Sequence, residues 1–220
     1  DLRGIGRLVV DATLRGTDIV EEMHHTIGGW PARICSAPTY ASIRTIARLA
    51  GKGLDSVLNN LEGIVGGVAP GDEYAAVIAA LNGVVGDHLK ATGNPLATNL
   101  CVRCEGGIHS RVIVLIHGSS MNDRQWKRRG HDHGEALARD LNASALYVTY
   151  NSGLHVADNG RELAARLEEV FGAWQVPVTE VVLLGHSMGG LVARSAIEHA
   201  QHMAWRKKLA ALVTLGTPHH

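Results

Sequence analysis

Apolar positions along the chain follow two rhythms, and the change falls near residue 94. Before it they recur every three or four residues, the spacing of one helical face. Leu2, Ile5, Val9, Thr13, Gly16, Val20, Met23 and Ile27 make a first stripe, ended by Gly28, Gly29 and Pro31. Tyr40, Ile43, Ala47, Ala50, Leu54, Val57, Leu61 and Ile64 make a second, weakened at its middle by Gly51 and Gly53. Asp72 is placed to cap a third helix that carries Tyr74, Val77, Ile78, Leu81, Val84, Val85 and Leu89 and stops at "TGNP". Residues 1–94 are therefore expected to be a helical region of three amphipathic helices, a cover or docking module. Packing against protein is the favoured use of the stripes. Docking on a membrane surface is the less favoured one, because the polar faces mix acids with bases.

After residue 94 short apolar runs alternate with amphipathic stretches of helix length. "ATNLCVRCE" and "RVIVLIHG" predict two strands, read as an antiparallel pair across "GGIHS". "HDHGEALARDLN", "DNGRELAARLEEVFGAW" and "MGGLVARSAIEHA" predict helices. "SALYVTY", "TEVVLLGHS" and "LAALVTLGT" predict strands between and after them. Asn159 and Glu162 have capping-box spacing, and Leu163, Leu167, Val170, Phe171 and Trp174 share one side of their helix. Strands continuous in apolar residues, each followed by a helix, predict a doubly wound, mostly parallel α/β sheet over residues 95–220.

Composition narrows the function. Lys plus Arg and Asp plus Glu number 21 each, so no net field points to nucleic acid. The basic runs at 127–130 and 206–208 read as solvated faces. No apolar run reaches the roughly 18 residues of a membrane span. No signal peptide is seen, which favours the cytoplasm. Three cysteines do not make a disulfide framework, and the Cys101–Cys104 pair lies on a strand rather than at a helix start. His131-Asp132-His133 has no third ligand in view, so no metal and no cofactor is expected. The chain begins at Asp1 and stops just after a strand, and it reads as a fragment of a longer protein.

The chemistry concentrates at Gly185-His186-Ser187-Met188-Gly189, with Gly190 following. An apolar strand runs into this segment and an apolar helix leaves it. Such a turn is sharp enough to strain its central residue and to lift the Ser187 hydroxyl above the carboxyl edge of the sheet. The helix start presents unpaired N–H groups there, and the Met188 amide is one candidate oxyanion donor. The other is the Ser119 amide, in the loop opened by His117 and Gly118. His117 reads as a brace for that loop. Trp126 reads as packing, with a lining role as the alternative. A serine that merely caps the helix is the competing explanation of the turn.

"IHGSS" at 116–120, "GHSMGG" at 185–190 and "LGTPHH" at 215–220 together resemble the α/β-hydrolase superfamily, in its lipase and esterase branch. The set is most similar to bacterial relatives of GPI-inositol-deacylase-type hydrolases. The resemblance covers about residues 96–220. It implies Ser187 as nucleophile, Ser119 and Met188 as oxyanion donors, and His219 as a supporting or pocket-lining residue. The family order of nucleophile, acid and base implies that the acid and base lie beyond residue 220. The expected function is hydrolysis of carboxylic esters, lipid or acyl, with a small-molecule or lipid ester as partner and a fragment inactive by itself. The alternative is a non-catalytic binding or membrane-docking protein on the same fold.

Overall fold

The computed structural model describes residues 71–91, 93, 94 and 96–219. The two stripes expected within residues 2–27 and 40–64 lie outside them. Contacts divide the chain into two units, Asp1–Val77 and Ile78–His220, and the second carries the sheet.

Helix α1 (Asp72–Ala91) precedes strands β1 (Cys101–Glu105) and β2 (Arg111–Ile116). A short hairpin, β3 (Lys127–Arg128) and β4 (His131–Asp132), leads into α2 (His133–Leu141). Then β5 (Ser144–Thr149), α3 (Val156–Gly172), β6 (Glu180–His186), α4 (Met188–His199) and β7 (Leu209–Leu215) alternate. The sheet order is β1-β5-β2-β6-β7, and every pairing but that of β1 is parallel.

The expected β1–β2 hairpin is not formed. β1 runs antiparallel to β5, with Cys101 opposite Thr149 and Cys104 opposite Leu146. β2 instead takes the centre, between β5 and β6. Its residues explain the choice: Val112 to Ile116 are between 0% and 2% exposed, and such a strand loses least water-free surface with a neighbour on each side. Val112, Val114 and Ile116 face a core closed by Leu163, Leu167, Val192, Ala196 and Trp205 of the α3–α4 side. Ile113 and Leu115 face Trp126, Tyr147 and the α2 residues Leu137 and Ala138. Trp126 is thus a packing residue of this second layer. The alternation puts helices on both faces of a mostly parallel sheet, the doubly wound α/β architecture.

Cys101 and Cys104 are three apart on β1, so their side chains leave opposite faces, and both thiols are free. Helix α2 starts at His133 because Asp132 caps it, accepting from the amides of Gly134 and Glu135 and from the Tyr147 hydroxyl. Helix α3 starts at Val156, three residues before the expected capping box. Asn159 lies inside the helix and is 1% exposed, its amide donating to the carbonyls of Asn151 and Leu154. A buried tertiary contact has claimed the side chain that local spacing assigned to the cap.

Helix α1 also differs from its stripe. Val84 is 39% exposed, whereas Ala79, Asn82, Gly86 and Leu89 are buried. Val85 kinks the helix at φ −130°, and Gly93, at φ 63°, follows its end. The buried residues mix small and polar side chains with Leu89 rather than following the apolar stripe.

Candidate active site

Ser187 stands between β6 and α4 with φ 50° and ψ −125°. Positive φ is costly for a residue with a Cβ, and a neighbouring structure must hold it. Three contacts do so. The Ser187 N–H donates to Leu215 O at 2.8 Å, the Thr217 hydroxyl donates to Ser187 O at 2.8 Å, and the Gly190 N–H donates to the same oxygen at 3.1 Å. Two of them come from β7 and the loop that follows, so the "LGTPHH" segment clamps the turn from its far side. The turn is tight enough to need glycine at 185 and 189. A Cβ on Gly185 would lie 2.5 Å from Gly190 Cα, and one on Gly189 would collide with the carbonyl oxygens of Ile116 and His117.

Ser187 occupies the cap position of α4, yet its side chain makes no capping hydrogen bond. A serine serving the helix would accept from an amide of the first turn. This hydroxyl is instead left half-buried at the carboxyl edge of the sheet, beside the start of a helix whose dipole favours negative charge.

The β2 loop lies against the turn. Gly118 is buried, and a Cβ built on it would stand 3.1 Å from each of Ser187 Cβ, His186 Nδ1 and Met121 Sδ. The loop is set by His117, which is 1% exposed and stacked on Tyr150 with ring centroids 4.3 Å apart. His117 Nδ1 pairs with Gly118 O at 2.8 Å, and Nε2 takes the Tyr150 N–H at 3.3 Å. A carbonyl accepts and an amide donates, so the network assigns the neutral Nδ1–H tautomer. Burial disfavours the imidazolium and holds the pKa down to about 4, against the opposing pull of the Gly118 carbonyl and of Asp123. In a trans peptide the carbonyl and the next N–H point in opposite directions. With Gly118 O tied to His117, the Ser119 N–H is turned the other way. Among the described residues neither the Ser119 nor the Met188 N–H donates to a turn, loop or cap acceptor.

His219 is exposed, with Nδ1 3.0 Å from the Arg194 guanidinium and Nε2 3.4 Å from the Thr214 hydroxyl. Asp123, beside the loop, is drawn toward protonation by burial. Hydrogen bonds from Arg103 and Thr149 and the Arg103 charge outweigh this and hold its carboxyl below the usual range. The structure thus brings Gly118, His186 and Ser187 into contact and sets Gly189 against the carbonyls of Ile116 and His117, while His219 bonds to α4 and β7. Sequence reasoning passed over Tyr150, Ser152 and Thr217. The first two sit in "YNSG" after β5, a polar stretch at the carboxyl edge of a parallel strand, which is where such folds place their loops of interest.

The sheet, its crossing helices and the strained serine turn define an α/β-hydrolase fold of the lipase and esterase kind. A model of the PGAP1-like alpha/beta domain matches residues 107–220, more than half of the chain, and the chain belongs to that family. Triacylglycerol lipases of Pseudarthrobacter phenanthrenivorans and Burkholderia plantarii are each 31% identical over 111 residues, 49% of this chain. The match covers 33% of the first and 29% of the second, so the chain spans about a third of the length of the curated relatives it matches. The Bacillus licheniformis lipase BlEst2 is similar at 24% identity and a TM-score of 0.45 over 55% of this chain. That overlap is 26% of its propeptide form and 48% of its mature form.

Proposed function

We propose that this chain carries the nucleophile and oxyanion hole of a serine hydrolase that cleaves lipid or acyl esters. One observation carries the reading. Ser187 is held at positive φ by contacts from β7 and the loop after it, while its hydroxyl makes no capping bond to the helix it precedes. A strained backbone and an uncommitted hydroxyl cost stability together, and an active site is where such costs are kept.

In the proposed cycle Ser187 Oγ bonds to the ester carbonyl carbon and gives its proton to a general base. The carbonyl oxygen becomes an oxyanion held by the Ser119 and Met188 amides. Collapse of the tetrahedral species breaks the bond to the alcohol, which leaves with that proton. Water then repeats the sequence on the acyl-enzyme and releases the acid. His117 is not the base, because its nitrogens hold Gly118 O and the Tyr150 amide. His219 is engaged by Arg194 and Thr214. The base and its orienting acid are assigned to parts of the whole protein other than these two residues. Acyl chains as substrate rest on the lipase relatives.

The test is hydrolysis of nitrophenyl esters of graded chain length by the whole protein. Ser187→Ala should drop kcat by about 10⁴-fold or more, to the residue left by binding and the oxyanion hole. Unchanged turnover in that variant removes Ser187 from the chemistry, and absence of turnover in the parent leaves the non-catalytic binding reading.

A further inference from the structure

Helix α1 precedes the family-matched segment, yet its residues from 78 onward touch the loop that carries the candidate oxyanion amide. A Cβ on Gly83 would collide with Ser120 Oγ and lie 2.9 Å from Ser120 Cα. One turn on, a Cβ on Gly86 would collide with the Asn151 side-chain amide. Asn151 Nδ2 donates to Gly86 O at 2.8 Å, and Asn151 Oδ1 accepts from the Gly153 amide at 3.0 Å. Between these contacts Ser152 Oγ accepts from the Ser120 N–H at 2.9 Å. Asn82 holds the other flank of the helix, donating to Leu96 O and accepting from the Thr98 amide. Asn82, Asn151 and Asn159 are each 1% exposed and Ser152 is 6% exposed, so these bonds are not exchanged for water.

Ser120 sits in the left-handed region at φ 56°, where a serine does not stay without support. Its N–H and the Gly118 carbonyl are the two handles that flank Ser119. His117 holds the second, and Ser152 holds the first. From this we infer that Ser152 is a positioning residue for the oxyanion amide, seated by the glycine face of α1. The helix fixes the 151–153 turn through Gly86 O, the turn presents Ser152 Oγ, and Ser152 fixes Ser120, which orients the Ser119 peptide. Gly83 lets the helix come close enough. The inference rests on the reading of Ser119 as an oxyanion donor and Ser187 as nucleophile.

An oxyanion donor acts on the transition state, so its displacement lowers kcat and leaves KM nearly unchanged. In the whole protein Ser152→Ala should lower kcat about 10- to 100-fold, with a matching loss of affinity for a boronic acid transition-state analogue and KM within about two-fold. Ser152→Thr, which keeps the hydroxyl, should recover most of the loss. Gly83→Ala should give the same split while the helix itself gains propensity, so that variant is readable even if Ser152→Ala fails to fold. A folded Gly83→Ala or Ser152→Ala enzyme with kcat and boronate affinity within about two-fold of the parent overturns the inference. So does a loss carried by KM alone. Ser187→Ala run alongside separates the failures: if it keeps full turnover, the nucleophile reading falls, and if it is dead while these variants stay active, only the positioning role falls.

Discussion

Gly118 and Ser187 belong to separate strands' ends, yet a Cβ on the glycine would stand 3.1 Å from the serine Cβ. The β2 loop and the serine turn therefore pack too closely for a side chain to stand between them. Gly118→Ala should lower the acylation rate about 10-fold or more by pushing the loop and the serine turn apart. The other two neighbours, His186 Nδ1 and Met121 Sδ, are side-chain atoms that can yield by tenths of an ångström. Stability measured by thermal unfolding should fall little. A large drop in melting temperature with kcat preserved would contradict this.

Gly189 presents the opposite case. Its would-be Cβ meets first the backbone of Ile116 and His117, at the end of the central strand. The Ile116 oxygen belongs to the last residue of β2 and the His117 oxygen accepts from the Tyr150 hydroxyl, so neither moves without cost. Gly189→Ala is expected to cost roughly 1–3 kcal/mol or more by overpacking, read in urea unfolding. An unfolding midpoint equal to the parent's would show that the turn is looser than described.

The buried neutral His117 makes stability depend on pH. Its folded pKa, about 4, lies below the ordinary value of 6.5. Between the two the unfolded chain binds a proton that the native state refuses, so stability falls as pH falls through that window. Moving from about pH 7 to about pH 5 should cost on the order of 2 kcal/mol from this group. His117→Gln should be less stable at neutral pH and should lose that part of the pH slope. A slope unchanged in the variant would assign it to other groups.

Asp132 acts in the same direction, in a lower pH window. Burial favours its protonated form, but the Tyr147 hydroxyl, the Glu135 amide and Lys127 outweigh it and hold the carboxyl below the usual range. The stability it gives is present above the unfolded carboxyl pKa and is lost as pH falls through the lower folded value. Asp132→Ala should cost about 1 kcal/mol at neutral pH through loss of the α2 cap. Its unfolding should then be less sensitive to acid below about pH 4.

What the sequence revealed follows the range of the forces involved. The β6–Ser187–α4 turn was legible because strand, glycines and helix lie within about a dozen residues and each obeys a local rule. The burial of Val112 to Ile116 on both faces of the sheet was legible as a continuous apolar run. The partner of β1 was not, since strand pairing is decided by which strand most needs burial on both sides, and β2 outbid β1 for the centre. The true start of α3 was hidden because Asn159 spends its amide on Asn151 and Leu154. The working face of α1 was hidden because Gly83 and Gly86 leave no mark in an apolar stripe. That face is read only from what it touches, the Ser120 and Asn151 side chains.

The central claim is that Ser187 forms a covalent bond during turnover. The direct measurement is mass spectrometry of the whole protein after reaction with a fluorophosphonate, with peptide mapping of the adduct. The account predicts a single phosphonyl group on the Ser187 Oγ of the peptide containing Gly185 to Gly190, and no adduct in Ser187→Ala. An adduct on another residue, or labelling that persists in Ser187→Ala, would contradict it.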